Sequence, residues 1–445
     1  DAMSNGPFAI AHDEKLGVVF VENVCPGDIT EIEIYDQRKD FAFANAIEII
    51  EASSLRMDKP PCAIHKICGS CQWQHIDYNE QLKFKKQNLI DLLTKAKIDY
   101  SSVPDLTPMD NPWNYRNKII YPVDTVASTG RLIAGYFKRN TNELINVKYC
   151  PIQYGIFDEI MAFTKELCTK RGITKTRLRH ILMRSNIDQS EILLSLIVRR
   201  KNLDHEEHKL LIKILKEIRS NFPVIKVISL NYNDLSTNVI LGNKTEVIDE
   251  RAYIQEKFAD IELRISTASF FQVNTQQFLK IINLLKTFID KPNARILDLY
   301  CGIGTISLSL AKAFPELDIT GIEIIPEAIE DARTNAILNN ISQAKFILGK
   351  AEDVLADGMC QAGSFDVVIV NPPRKGCTNQ VLDALNEINS PKIIYVSCNP
   401  ATLTRDIKYL EQYGYKLSFV QPVDMFPHSF HFETVAVLNY SESSI

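Results

Sequence analysis

Two side chains near the carboxyl end of the chain have the types and settings that covalent catalysis needs. Cys398 follows the apolar run Lys392–Ser397. That is a strand-end corner where a nucleophile is presented, and the helix expected after it would help lower the thiol pKa. Glu433 lies in an apolar run, where the raised pKa of a general base is expected. Taken singly, a cysteine at a strand end is a small buried filler and a glutamate a surface residue. Their flanking residues, quoted below, favour chemistry for both.

A third feature suits a ligand. Leu297-Asp-Leu-Tyr-Cys-Gly-Ile-Gly-Thr305 runs from a strand through Gly302 and Gly304 straight into a helix. Glycines let the backbone pass close to a ligand, and a helix start offers free N–H groups. The next strand ends in Gly321-Ile-Glu323, an acid placed to accept two ribose hydroxyls. A dinucleotide fingerprint needs a third glycine, and Ser307 stands there instead. The pattern points to S-adenosylmethionine rather than a nicotinamide. A fourth feature is Cys62, Cys68 and Cys71 with the distant Cys150, which could close a four-thiolate site on zinc or on a 4Fe–4S cluster. Spacing leaves both open. His65 is read as a bystander, and Trp73, Gln74 and His75 as packing around that site. Cys25, Cys168, Cys301, Cys360 and Cys377 have no partner in the pattern and are read as structural.

The elements that must hold these residues are visible in the periodicity. From about Ser266 the apolar runs Arg295–Leu299, Ile319–Ile322, Phe365–Val370 and Lys392–Ser397 alternate with helical stretches. Those stretches are Ile306–Ala313, Pro326–Asn339, Asn379–Ile388 and Ala401–Gln412. Such alternation predicts an α/β domain with a parallel sheet covered on both faces and ligands at the carboxyl ends of its strands. Residues 8–50 read as short strands (Phe8–Ala11, Gly17–Val21, Asp28–Tyr35, Phe41–Ile50), and with the Pro26-Gly27 turn they predict a small β-barrel. A helix is expected from about Asn79 to Lys97. Residues 114–265 mix strands such as Glu191–Val198 and Val224–Leu230 with helices near Phe157–Lys170 and His205–Arg219.

Composition sets the bounds. The chain has 445 residues, 45% apolar and 24% charged, an ordinary globular balance with length for about three domains. Its longest apolar runs, such as Ile192–Val198, fall far short of the ~20 residues of a membrane span. Ten cysteines are too dilute for a disulfide scaffold, and no secretory leader is read, so a reducing, cytoplasmic setting is expected. Net charge is −5 but uneven: residues 1–58 carry −8, residues 59–265 carry +8 and residues 266–445 carry −5. A basic middle is a footprint for a polyanion. Its densest run, Lys165 to Arg184, reads first as a solvated helix and strand face.

Several motifs together resemble those of the RNA uracil-5-methyltransferases. Asn371-Pro-Pro-Arg-Lys-Gly376, Val396-Ser-Cys-Asn-Pro-Ala-Thr-Leu-Thr-Arg-Asp406 and His431-Phe-Glu433 look like that family's signatures. Ser269-Phe-Phe-Gln-Val-Asn274 is similar to the motif that opens its catalytic domain. The four cysteines resemble the iron–sulfur ligands of its ribosomal members, and Phe20-Val21 with Pro26-Gly27 the landmarks of its small N-terminal TRAM barrel. The resemblance runs from about residue 8 to Val437. It implies a Rossmann-like class I methyltransferase domain and methyl transfer from S-adenosylmethionine to carbon 5 of a uridine. It favours a 4Fe–4S cluster on Cys62, Cys68, Cys71 and Cys150. By the same resemblance Gln272, Tyr300, Thr305 and Glu323 contact the cofactor, with Asn371 at the corner facing cofactor and base. Cys398 is the nucleophile that adds to carbon 6, and Glu433 the base that removes the carbon 5 proton. Members with both barrel and cluster mostly act on 23S ribosomal RNA, whereas the bacterial tRNA enzyme lacks both.

The expected organisation is therefore a TRAM-like barrel over 1–58, a cluster-bearing central α+β domain over 59–265 and a methyltransferase domain over 266–445. The helix near 79–97 is a candidate to pack against the last. RNA, with 23S ribosomal RNA favoured, is the expected partner; no membrane or obligate protein partner is expected. Two residues depart from the family pattern: it usually has Asp where this chain has Asn371, and an acid or amide where it has Lys350. A catalytically weakened RNA-binding or ribosome-assembly factor is thus a second reading, and a tRNA uridine methyltransferase a third. An amino methyltransferase, which shares Asn-Pro-Pro, normally has an aromatic residue next; here it is Arg374.

Overall fold

Alternate residues along one seven-stranded sheet supply two separate hydrophobic cores, and this sheet carries the candidate site. Its strand order is Ala344–Leu348, Asp318–Glu323, Arg295–Leu299, Val367–Val370, Lys392–Ser397, Glu433–Tyr440, Tyr415–Val423. Ile296, Ile369 and Ile394 face one core, while Leu297, Val368 and Ile393 face the other, as expected of a sheet buried on both sides. This computed structural model describes the chain except Asp249, residues 357–361 and residues 442–445; Cys360 lies outside the described residues.

The sheet is not wholly parallel as expected. The first five strands pair in parallel, but Glu433–Tyr440 runs antiparallel to Lys392–Ser397, and Tyr415–Val423 antiparallel to Glu433–Tyr440. The short connection from Val423 to Glu433 forms a hairpin rather than a helical crossover, and a hairpin makes its strands antiparallel. Helices start at their capping residues. The Asn274 side chain accepts from Gln277 N ahead of Thr275–Lys286, Thr378 from Val381 N ahead of Asn379–Ile388, and Asn399 from Ala401 N ahead of Pro400–Glu411.

The remaining chain forms two further sheets and an interlock with the first. Residues 1–51 make a five-stranded sheet in the order Ala2–Met3, Ala9–Asp13, Gly17–Glu22, Phe41–Glu51, Ile29–Gln37, with Gly17–Glu22 parallel to Phe41–Glu51. The central sheet has seven strands, Lys244–Val247, Ile225–Tyr232, Ile192–Val198, Leu178–Ser185, Lys118–Thr125, Leu132–Phe137 and Leu144–Asn146, in that order. Helices Ile156–Lys170 and His205–Asn221 pack with it. Helix Tyr78–Lys95, by contrast, buries Leu89 and Leu93 in a core of the C-terminal sheet. The hairpin Tyr253–Phe258/Ile261–Ser266 enters the other core. Among the described residues no helix is long and apolar enough to cross a membrane.

Candidate active site

Strand register brings Cys398 and Glu433 face to face. Ser397 pairs with Thr434 across the antiparallel strands, so Cys398, one residue past its strand, stands beside Glu433, the first residue of the neighbouring one. Glu433 is 3% exposed, and its Oε2 has no hydrogen-bond partner. Burial pushes its carboxyl up to about 8, with the Arg374 guanidinium pulling the other way. Cys398 is only half-buried. The lowering expected of its thiol does not occur: burial and the Glu433 carboxylate push it up to about 11, and Arg374 offsets this only in part. Burial is the first cause; strand register adds an acid beside the thiol, and Asn399 already occupies an N–H of the helix that follows.

The two loops flanking Cys398 lock into each other. Asn399 Nδ2 and Thr402 Oγ1 donate to the carbonyl of Arg374 at 2.9 and 3.3 Å, and Arg405 donates to the carbonyls of Lys375 and Cys377. Asp406, fully buried, accepts from Cys377 N and Tyr395 OH at 2.9 and 2.7 Å. Gly376 has φ +74, and a Cβ there would stand 2.6 Å from both Asp406 Oδ2 and an Arg405 nitrogen. The loop 424–432 that delivers Glu433 is clamped as firmly. Lys85 Nζ pairs with Asp424 at 2.6 Å with both side chains buried; Tyr115 OH donates to Pro427 O; Gln81 brackets His428; and Trp113 stacks on the His428 ring at 3.7 Å. Arg374, Asp406, Lys85 and His428 were not assigned roles from sequence. Only the first two lie inside motifs that sequence reading had singled out.

At the other corner, the turn after Arg295–Leu299 fits an adenosine-bearing ligand. Gly302 has φ +56 and nothing within 4 Å of where a Cβ would project, so this side of the turn is open. Glu323 accepts backbone N–H groups from Gly302 on Oε2 and from Ile324 and Ile325 on Oε1, which leaves a lone pair of Oε2 free. Asp298, buried beneath the turn, accepts from Ser307 Oγ at 2.6 Å through Oδ2 while its Oδ1 has no partner; burial pushes this carboxyl up to about 7. Tyr300 is half-buried with φ 64, and Thr305 opens the helix. Gln272 is 7% exposed, and its carbonyl is held by Asn117 Nδ2. Asn371 N donates to Leu299 O, which sets it beside the turn, and Lys350 is exposed just past the neighbouring strand.

Cys62, Cys68, Cys71 and Cys150 are all buried and free. Cys71 feels the charge of the other three, and burial pushes its thiol well up. The four cysteines thus share one buried region. Among the described residues no three His, Cys, Asp or Glu side chains converge on one metal ion. Trp73, Gln74 and His75 are buried, with Gln74 Oε1 accepting from Cys62 N. Trp73 N donates to His428 O at 2.9 Å, linking this segment to the loop before Glu433. The basic run 165–184 is committed internally. Lys170, Arg171, Lys175 and Arg177 pair with Glu166, Glu217, Asp124 and Glu207, while Lys165, Arg179 and Arg184 donate to carbonyls.

Comparison with known proteins matches both the sequence and the architecture. The family model described as tRNA (Uracil-5-)-methyltransferase matches residues 77–441. An uncharacterized RNA methyltransferase of Bacillus cereus is 39% identical over 429 residues, covering 94% of this chain and 92% of that protein. Another from Halalkalibacterium halodurans is 37% identical, with 94% and 92% covered. The crystal structure of the Pyrococcus abyssi tRNA (uracil-54, C5)-methyltransferase with S-adenosyl-L-homocysteine aligns with a TM-score of 0.75 at 25% identity over 97% of both chains.

Proposed function

The chain belongs to the RNA uracil-5-methyltransferase family and is an S-adenosylmethionine-dependent RNA methyltransferase; from that premise we propose that it methylates carbon 5 of a uridine in 23S ribosomal RNA with Cys398 as nucleophile and Glu433 as base. The observation that carries this reading is the register that sets Cys398 opposite Glu433 at a strand-end corner. Carbon 5 of uracil is a poor nucleophile. The Cys398 thiolate forms a bond to carbon 6, and the ring's electron pair moves to oxygen as an enolate that can attack through carbon 5. S-adenosylmethionine, held by Glu323, Gly302, Tyr300, Thr305, Gln272 and Asn371, supplies the methyl group. Glu433 then takes the carbon 5 proton and the sulfur–carbon bond breaks, releasing the product. The base must leave its stack to reach Cys398, so the target is a loop or flipped-out nucleotide.

Two finer assignments belong to the same proposal. The five-stranded N-terminal sheet is taken as a TRAM unit. Cys62, Cys68, Cys71 and Cys150 are taken as ligands of a 4Fe–4S cluster rather than zinc. Four thiolates could serve either centre, and the choice of the cluster rests on the family resemblance of this cysteine set. This cysteine set is also the ground for choosing ribosomal over transfer RNA. The test is incubation with total RNA and labelled S-adenosylmethionine, separation of 23S, 16S and transfer RNA, and digestion to nucleosides. Label in 5-methyluridine from 23S RNA is expected. The same nucleoside from transfer RNA overturns the substrate choice, a methylated amino base overturns the reaction, and no label favours a binding factor weakened at Asn371 and Lys350.

A further inference from the structure

We infer that His428 is the positioning residue of the catalytic base, fixing the turn that carries the chain into Glu433. It rests on the role proposed for Glu433 and adds a fully buried side chain that acts through it.

The turn is Phe426-Pro-His-Ser429, closed by Ser429 N donating to Phe426 O at 3.2 Å. Proline suits its second position. The third position, His428, is left-handed with φ 68, where a turn of this kind normally has glycine or asparagine. A histidine in that backbone is strained, and such strain persists only where the surroundings over-determine it. Here they do. His428 N donates to Gln81 Oε1 at 2.9 Å, and His428 O accepts from Trp73 N at 2.9 Å. Because Pro112 O can only accept, the ring's Nε2–H donates to it at 3.1 Å, and Nδ1 accepts from Gln81 Nε2 at 3.3 Å. Trp113 stacks on the ring at 3.7 Å. One residue thus ties helix Tyr78–Lys95, the segment after Cys71 and the segment at Pro112 to a single turn.

The turn hands this restraint on to the base. Ser429 Oγ donates to Phe426 O at 2.9 Å and accepts from His431 N at 3.3 Å, so the backbone is held to within two residues of Glu433. At the other end of the loop Val423 pairs with Glu433. Glu433 Oε2 has no hydrogen-bond partner, so backbone and packing must aim it. His428 is not itself an acid or base here: it is 0% exposed, and burial holds it neutral with its pKa lowered to about 3. In the step it serves, the carbon 5 proton passes to Glu433 and the C–H pair becomes the carbon 5–carbon 6 double bond. The C6–S bond breaks with its pair returning to Cys398. His428 exchanges no proton and contributes orientation alone.

His428→Gly tests this in the full-length protein, because glycine takes the left-handed backbone freely while the ring's contacts are lost. Without RNA, hydrogen exchange read by mass spectrometry should run about tenfold faster in the 425–433 peptide and unchanged in Lys392–Ser397. With unmodified RNA and labelled S-adenosylmethionine, methyl transfer into the protein–RNA adduct should stay near the wild-type rate. Release of product should fall ~10²-fold, the cost of misplacing a reacting group by about 1 Å. His428→Asn, which tolerates the left-handed backbone and keeps an amide, should recover part of both effects and stands in if the glycine variant does not fold. Wild-type exchange of the 425–433 peptide in both variants overturns the inference whatever the RNA shows. So does an equal fall in methyl transfer and release, which marks a merely structural residue. Normal release by His428→Gly beside a trapped adduct in Glu433→Gln overturns it and leaves the proposed function standing. Wild-type release by Glu433→Gln overturns the choice of base, and the role of His428 with it.

Discussion

Replacing Glu433 by glutamine removes a charge that the fold resists and a base that the reaction needs, so the variant should be more stable and less able to release product. The carboxyl is 3% exposed, and burial moves it from 4.5 to about 8. At 1.36 kcal/mol per pH unit, ionising it in place costs about 5 kcal/mol, and relaxation around the site lowers that to ~2–5. Between pH 4.5 and 8 the folded protein keeps a proton that the unfolded chain has lost, so wild-type stability falls as pH rises through that window. Glutamine does not titrate. In urea titrations followed by circular dichroism the two proteins should nearly coincide at pH 5, and the variant should lead by ~2–5 kcal/mol at pH 8.5. In catalysis the variant still adds to the base and transfers the methyl group, but turnover falls by ~10²–10⁴-fold, leaving a protein–RNA band on a denaturing gel. About a tenth of the wild-type carboxyl is ionised at pH 7, so wild-type release should quicken roughly tenfold towards pH 9. An equal stability difference at both pH values, or wild-type turnover by the variant, refutes the reasoning.

Other expectations follow from the same structure. Cys398→Ala should lose both methyl transfer and the covalent adduct with 5-fluorouridine RNA, in which fluorine cannot be abstracted as a proton; near-normal activity would remove Cys398 from the mechanism. Anaerobic purification should give a brown protein with about four irons per chain, and Cys150→Ser should destabilise the central domain; colourless protein with stoichiometric zinc would refute the cluster. Lys85→Met strands the buried carboxylate of Asp424 and should cost ~3–5 kcal/mol in urea unfolding. The double change Lys85→Met with Asp424→Leu should recover part of it, and an unaltered midpoint in the single variant would show that the pair contributes nothing.

The local pieces were readable because each depends on neighbours along the chain. Asn379–Ile388 reads as a helix from its apolar period, and Thr378 caps it as the pattern demands. The Gly302–Gly304 turn follows from residue types, since both glycines take positive φ where the strand meets the helix. The family motifs singled out Cys398 and Glu433. The mixed sheet was not legible in the periodicity, because Glu433–Tyr440 has the continuous apolar content of a parallel strand and only its short connection to Tyr415–Val423 makes a hairpin.

What tertiary structure decided is the chemical state of the residues that sequence had named. A helix expected after Cys398 argues for a lowered pKa. Packing reverses the sign, first because burial withdraws the sulfur from water and then because strand register sets Glu433 beside it. The grip of Asn399 and Thr402 on Arg374 joins loops far apart in the chain. So does the clamp of Lys85, Tyr115, Gln81 and Trp113 on the loop before Glu433. A protonation equilibrium is set by burial and by the charges within a few ångströms. Neither is a property of sequence spacing, so residue types could name the acid and the thiol, and only the fold could say which of them holds its proton.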